Sequence, residues 1–387
     1  MNTPPVIGIH DLAVATGSRV LDLADLARAI GVEPAKFHKG LGQDQMSVPG
    51  PDEDIVTMGA AAAAPILDRH GAAGIRTLLF ATETGVDQSK AAGIFTHRLL
   101  GLPPACRVVE LKQACYGGTA ALQMAIGIVT RDPRERVLII SSDIARYGID
   151  TAAEPTQGAG AVAMLVAADP DLVEIPTPTG IWTADIDDFW RPNDSDIAMV
   201  EGKLSIDAYL DAFTGAWDDY RAQGGVAASE IDAFCHHQPF TRMAEKAHRK
   251  LAEHTGVELG LDTFLPSTRY NRRIGNSYTA SLYLALAAVL DSDDDLTGCR
   301  IGLFSYGSGA VGEFFTGVVR PGYRAAARRE RTEALLDARI PISVEEYREL
   351  HRRVPRDTST DLAVDPVSAG AFHFAGISGR ARRYTRD

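Results

Sequence analysis

Short apolar runs alternating with helical stretches constrain this chain more than any other feature. IRTLLFAT (75–82), ACRVVELKQA (105–114), RVLIISSDIA (136–145) and GAGAVAMLVA (158–167) read as strands. Around them, DIVTMGAAAAAPILDRHG (54–71), QSKAAGIFTHRLLG (88–101) and GGTAALQMAIGIVTRD (117–132) have helical spacing, the first ended by Gly71 and the second by Gly101. Alternation of this kind predicts a layered α/β architecture with largely buried sheets. In GAGAVAMLVA, the Gly and Ala positions predict that something packs closely against the strand.

The second half repeats the pattern. EIDAFCHHQ (230–238) reads as a strand running into Pro239, which is suited to the first position of the helix FTRMAEKAHRKLAEHT. NSYTASLYLALAAVLD (276–291) reads as an apolar helix, and RIGLFSYGS (300–308) and AVGEFFTGVV (310–319) as strands. A buried strand leads into CYGGTA at 115–120 and into SYGSGA at 305–310, one such turn in each half, which suggests two similar halves. From Arg324 onward, RAAARRERTEALLDAR and the Arg348–Val354 stretch read as charged surface helices.

Composition excludes several classes. No apolar run in the 387 residues approaches the ~20 needed to cross a bilayer, and the start lacks a signal peptide's basic and apolar regions. A net charge of −12 argues against general nucleic-acid binding and requires any anionic ligand to find a local basic patch. Four dispersed cysteines make neither a disulfide framework nor a C-x-x-C metal site, and the expected compartment is the reducing cytoplasm. Neither a G-x-x-x-x-G-K-[ST] loop nor a G-x-G-x-x-G fingerprint after the first strand is present.

Among residues able to carry chemistry, Cys115 stands where a strand turns into a helix N-terminus, a place that stabilises a thiolate. A free cysteine is usually a small buried hydrophobe, and Cys106, Cys235 and Cys299 read that way; the strand–Cys–Gly–Gly–helix context reverses the reading for Cys115. Gly117 and Gly118 leave room for a substrate carbonyl. His237, at a strand end, is the candidate base or donor for the thiol; adjacent His236 faces the opposite side of the strand, which argues against a shared metal. Glu83, just past a buried strand, is a candidate general acid/base or else a helix-entry carboxylate. Asn276 is an N-cap or an amide that orients a carbonyl, and Ser308 lies on a turn whose N–H suits an oxyanion hole. Arg242, Lys246, Arg249 and Lys250 share one broad helical face, either solvated charge or a meeting point for substrate phosphates.

Assembled in order, GLGQDQMSVPGPDEDIV, TETGVDQSKA, ELKQACYGGTAAL, AEPTQGAGAVAM, DDFWRP, HHQPFTRM, GNSYTASLYL and FSYGSGAVGEFF give the chain a close resemblance to hydroxymethylglutaryl-CoA synthases of the thiolase superfamily, over nearly its whole length. The resemblance implies two related halves, 1–165 and 166–387, in five α/β/α/β/α layers, usually paired as a homodimer. It implies condensation of acetyl-CoA with acetoacetyl-CoA and water, with Cys115 as acetyl acceptor, Glu83 as acid/base and His237 positioning the acetoacetyl thioester. Tyr147, Asn276 and Ser308 match substrate-binding positions, Asp143 and Asp188 supporting ones. Lys246 matches a basic residue near the CoA phosphates, and Arg242 stands where the family commonly has Lys. No metal or organic cofactor is implied. The competing readings are a polyketide β-branching synthase acting on a thioester bound to an acyl carrier protein, and a thiolase-like protein that binds acyl thioesters without catalysis.

Overall fold

The computed structural model describes residues 5–195, 197–325, 328–353 and 358–387. The first half runs β1 (Ile7–Thr16), α1 (Ile55–His70), β2 (Ile75–Ala81), α2 (Ala92–Leu99), β3 (Arg107–Leu111), α3 (Gly117–Arg131), β4 (Arg136–Ala145) and β5 (Gly158–Ala168). Next come β6 (Val173–Glu174), β7 (Gly180–Thr183), β8 (Phe189–Trp190), β9 (Met199–Val200), α4 (Gly202–Ala222), β10 (Ala233–His236), α5 (Thr241–Thr255), α6 (Ser281–Leu290), β11 (Arg300–Gly307) and β12 (Val311–Val319). The tail holds α7 (Arg328–Asp337), α8 (Val344–Arg352), β13 (Phe372–Ser378) and β14 (Ala381–Arg386). Of the stretches read above as tail helices, 326–327 and 354 lie outside the described residues, as do the first four residues of the chain.

The main strands lie in the order β10-β11-β12-β6-β1-β5-β4-β2-β3, with β7 on β12. β2, β3 and β4 are parallel, as are β10 and β11. Two-residue β6 pairs with both β1 and β12 and so joins the halves.

Side-chain alternation along the strands separates the layers. On β4, Val137 and Ile139 face a central core while Leu138 and Ile140 face α1 and α2. On β11, Ile301 and Leu303 face that same central core, whereas Phe304 and Tyr306 face α4 and α5. Helices α3 and α6 fill the centre, and all ten residues of α6 are buried. The result is the expected α/β/α/β/α stack. α6 is apolar on every side because it packs between two sheets. The Gly side of β5 meets the 274–276 loop: a Cβ at Gly158 would come within 2.7 Å of the Asn276 carbonyl oxygen.

Several boundaries differ from the sequence reading. Pro239 is not the first helical residue, because Phe240, extended at φ −152°, precedes a helix that begins at Thr241. α2 begins only at Ala92, so Glu83 sits on a loop and not at a helix entry. Asn276 precedes a short 3-10 turn at Tyr278–Ala280, and α6 starts five residues further on. A division at 165/166 cuts through β5, which pairs with β1 as far as Ala168. The tail is more than surface helices: β13 and β14 return to the first half and bury Phe372, Phe374, Ile377 and Tyr384 in the core shared with α1 and α2. Alternation in FHFAGIS is broken at Gly376, where the β13–β14 register shifts, which masks the strand signal.

Candidate active site

The C-terminal ends of the parallel strands converge, the usual location of ligand sites in α/β sheets. Glu83 follows β2, Cys115 follows β3, His237 follows β10 and Ser308 follows β11. The loops dock directly: Gln113 Nε2 donates to the Ser308 carbonyl at 3.2 Å.

Cys115 lies two residues before α3, after Ala114 in the left-handed region at φ 42°. Its Sγ is 3.6 Å from Glu83 Oε1. The expected thiolate is not the resting form. Burial and the neighbouring carboxylates of Glu83 and Asp143 push the thiol's pKa well above its ordinary value. Glu83 is itself pushed up to about 8 by burial and by the Asp143 charge, with the Arg191 guanidinium pulling the other way. Arg191 also donates to the Glu83 backbone carbonyl.

Gly118 has a role different from the one expected. A Cβ there would lie 2.7 Å from both Ser141 Oγ and the Thr279 carbonyl oxygen, so this glycine lets α3 seat against β4 and the Thr279 turn. Asp143, fully buried in β4, gathers the surroundings. It accepts from Thr82 Oγ1 at 2.7 Å, Glu83 N at 3.0 Å, Thr84 N at 3.1 Å and Thr84 Oγ1 at 2.6 Å through one oxygen, and from Thr279 N at 3.1 Å through the other. One carboxylate therefore fixes both the Glu83 loop and the turn leading into α6.

Tyr147, Tyr278 and Phe189 form an edge-to-face trio with centroids 6.0 to 6.3 Å apart, and Cys115 packs against this cluster. Asn276 is buried. Its Oδ1 accepts from Tyr278 N at 2.9 Å and its Nδ2 donates to the Tyr147 hydroxyl at 3.3 Å, so it caps a turn and orients a ring together. Asp188 accepts from the Tyr306 hydroxyl and from Gly309 N, both at 2.8 Å, and thereby holds the Ser308 turn.

His237 is buried and pushed down to about 3 by burial, so its imidazole is neutral. Tyr209 donates to its carbonyl at 2.7 Å, and its own N–H donates to the Phe304 carbonyl at 2.9 Å. His236 points the other way, among Phe213, Phe234 and His248. Among the described residues no group of three or more His, Cys, Asp or Glu is placed to hold a metal.

The basic stripe of α5 is partly neutralised. Glu245 pairs with both Arg242 and Arg249, leaving Lys246 beside the Phe240 ring, 5.9 Å from its centroid. Arg242 also lines a cavity of about 350 Å³ with His38, Lys39 and Arg272. Three contributors went unnoticed in the sequence: Arg191, Tyr278 and Glu313. Arg191 lay inside the DDFWRP motif and Glu313 inside FSYGSGAVGEFF, yet nothing in either string says which side chain reaches the thiol's surroundings.

Two stacked halves with a cysteine at a strand–helix turn of one and strand-end groups of the other define a thiolase-fold protein. The chain belongs to the hydroxymethylglutaryl-CoA synthase family: residues 3–171 match the pattern described as hydroxymethylglutaryl-coenzyme A synthase N terminal, and residues 262–384 match the corresponding C terminal. It is 42% identical to the hydroxymethylglutaryl-CoA synthase of Enterococcus faecalis over 98% of this chain and 99% of that one. A crystal structure of HMG-CoA synthase complexed with CoA superposes with a TM-score of 0.92 at 38% identity, covering 99% of this chain and 100% of the other. The HMG synthase of the curacin pathway in complex with acetyl donor-ACP superposes with a TM-score of 0.92 at 32% identity, with the same coverage.

Proposed function

We propose that this protein condenses acetyl-CoA with acetoacetyl-CoA and water to give 3-hydroxy-3-methylglutaryl-CoA and free CoA, through an acetyl-Cys115 intermediate. The observation that carries the reading is the 3.6 Å approach of the Cys115 thiol to the Glu83 carboxyl at the helix N-terminus. Because the thiol is protonated at rest, attack on acetyl-CoA needs a base, and ionised Glu83 is in place to take that proton and pass it to the departing CoA thiolate. Glu83, again a carboxylate, then removes a proton from the acetyl methyl, and the resulting carbanion attacks the ketone of acetoacetyl-CoA. The proton returns to the new alkoxide, and water hydrolyses the Cys115 thioester.

Neutral His237 acts here as a hydrogen-bonding group that positions the acetoacetyl thioester. Tyr147 and Asn276 shape the acyl chamber, and Ser308 offers its turn to the thioester oxygen. Asp143 and Asp188 support the two loops. Lys246, with Arg242, meets the CoA phosphates. The chemistry draws on no metal or organic cofactor.

Identity favours the free-CoA reaction, since the HMG-CoA synthase complexed with CoA, at 38%, stands above the curacin synthase at 32%. A product of this kind feeds the mevalonate route to isoprenoids, and four free cysteines suit the cytoplasm. We place a homodimer contact on the sheet edge at β3, where Val109 is 38% exposed. If Val109→Glu sediments like the wild type, the contact lies elsewhere. The central test is mass spectrometry after mixing with acetyl-CoA. One acetyl group on Cys115, absent in Cys115→Ala, is expected; label that persists in the variant or maps to Cys106, Cys235 or Cys299 overturns the reading. Preference for an acetoacetyl carrier protein over acetoacetyl-CoA by about a hundredfold in kcat/KM, roughly 2.7 kcal/mol, moves the assignment to the carrier-protein enzyme.

A further inference from the structure

We infer that Glu313, a buried carboxylate in the sheet of the second half, is a positioning residue for the Cys115 thiol of the first. Glu313 sits in β12 opposite Ser305 of β11 and is 1% exposed. Its Oε2 accepts the Tyr116 hydroxyl at 2.6 Å and its Oε1 accepts Gln123 Nε2 at 2.7 Å. Residues 116 and 123 are seven apart, so one face of α3 leans on a single carboxylate at two levels, two turns apart. A buried carboxylate held by neutral donors is costly to keep, and a core-filling apolar residue at this point in β12 avoids that cost. What the carboxylate supplies instead is a directed acceptor for α3.

Tyr116 is thereby fixed at both ends. Its backbone lies against Gly307, where a Cβ would come within 2.6 Å of the Tyr116 Cβ, and its N–H donates to the Gln113 carbonyl at 3.1 Å. Its hydroxyl end rests on Glu313. Cys115 shares a peptide plane with Tyr116 and follows Ala114 at φ 42°, so little freedom remains for the thiol once Tyr116 is anchored. Losing the Tyr116–Glu313 bond releases the ring and lets that plane turn. The nucleophile of one half is thus aimed by a residue of the other.

This inference rests on Cys115 being the acetyl acceptor, and its test separates the two ideas. Alkylation of Cys115 by iodoacetamide, mapped by mass spectrometry, reports thiol placement without acetyl-CoA; single-turnover acetylation reports the reaction itself. Both are measured on wild type, Tyr116→Phe, Glu313→Ala, the double variant and Glu313→Gln. Tyr116→Phe and Glu313→Ala are expected to slow both reactions about tenfold, the scale of one lost buried hydrogen bond to a charged group. KM for acetyl-CoA should stay within twofold. The double variant should be no slower than the worse single one, since both remove the same bond. Glu313→Gln should recover most of the rate, because its amide oxygen still accepts from Tyr116 while Gln123 turns its own oxygen inward. Wild-type reactivity in Tyr116→Phe, which removes one hydroxyl and little packing, overturns the inference, as do losses that multiply in the double variant. If wild type alkylates with this pattern but never acetylates, the positioning role stands and the acetyl-acceptor reading falls.

Discussion

On the proposed mechanism, the titration of Glu83 sets how the site responds to pH. Its carboxyl is pushed up to about 8, chiefly by burial and then by the Asp143 charge, while the Arg191 charge opposes. Proton removal needs the ionised form, so kcat/KM for condensation should rise about tenfold per pH unit below that value and level off above it. Arg191→Gln removes a charge that favours ionisation and should move the limb to higher pH. Asp143→Asn removes one that opposes it and should move the limb to lower pH. A limb that stays put in both variants assigns it to another group. Glu83→Ala should lose at least ~100-fold in condensation. His237, pushed down to about 3, contributes no limb in this range. His237→Ala should therefore leave acetyl-enzyme formation nearly intact while impairing use of acetoacetyl-CoA; equal damage to both half-reactions would make it the base for Cys115 instead.

Individual elements carry consequences beyond their single residues. On α5, Glu245 pairs with Arg242 three residues before it and with Arg249 four residues after it. Exposed pairs of this kind stabilise little, about 0.2–1 kcal/mol, but they direct two of the four cations toward a carboxylate. On the proposed reading, Lys246 is the cation of the stripe that meets a CoA phosphate. Lys246→Ala is expected to raise KM for acetoacetyl-CoA several-fold with a smaller change in kcat, and added salt should weaken wild type more than the variant. An unchanged KM moves CoA docking to the neighbouring cavity of His38, Lys39 and Arg272. The spacing of the stripe was visible in the sequence; its pairing was not, because Glu245 lies within the same helix turn pattern and could equally have faced solvent.

At the scale of the whole molecule, the tail is a structural part of the first half. β13 and β14 cover α1 and α2 with Phe372, Phe374, Ile377 and Tyr384, and Tyr384 donates to Asp54, the N-cap of α1, at 2.6 Å. His373 bridges Asp52 at 2.9 Å and Asp387 at 3.2 Å, which ties the end of the chain to the loop before α1. Phe374→Ala should cost about 3–5 kcal/mol in chemical denaturation, although the residue lies far along the chain from Glu83, Cys115 and His237. A loss below about 1 kcal/mol would mean that the hairpin is only loosely attached. Among the described residues no helix is long and apolar enough to cross a membrane.

The amino-acid sequence alone determined the layered alternation, because apolar runs without polar breaks leave a strand no choice but burial on both faces. It also marked Cys115 as the candidate nucleophile, because that residue occupies a strand–Gly–Gly–helix turn that local backbone chemistry defines, and it determined the order of motifs that marks the family. Only the tertiary structure decided the protonation of that thiol. The helix terminus argues for a thiolate, yet burial and then the Glu83 and Asp143 carboxylates push the thiol pKa up, and those neighbours come from residues 83 and 143, distant in sequence. The fold likewise decided that Gly118 serves packing against Thr279, that Arg191 lies beside Glu83, and that Glu313 holds Tyr116 across the two halves. Local pattern specifies which groups exist and on which element. Charge and distance between elements depend on loop closures that no local pattern records.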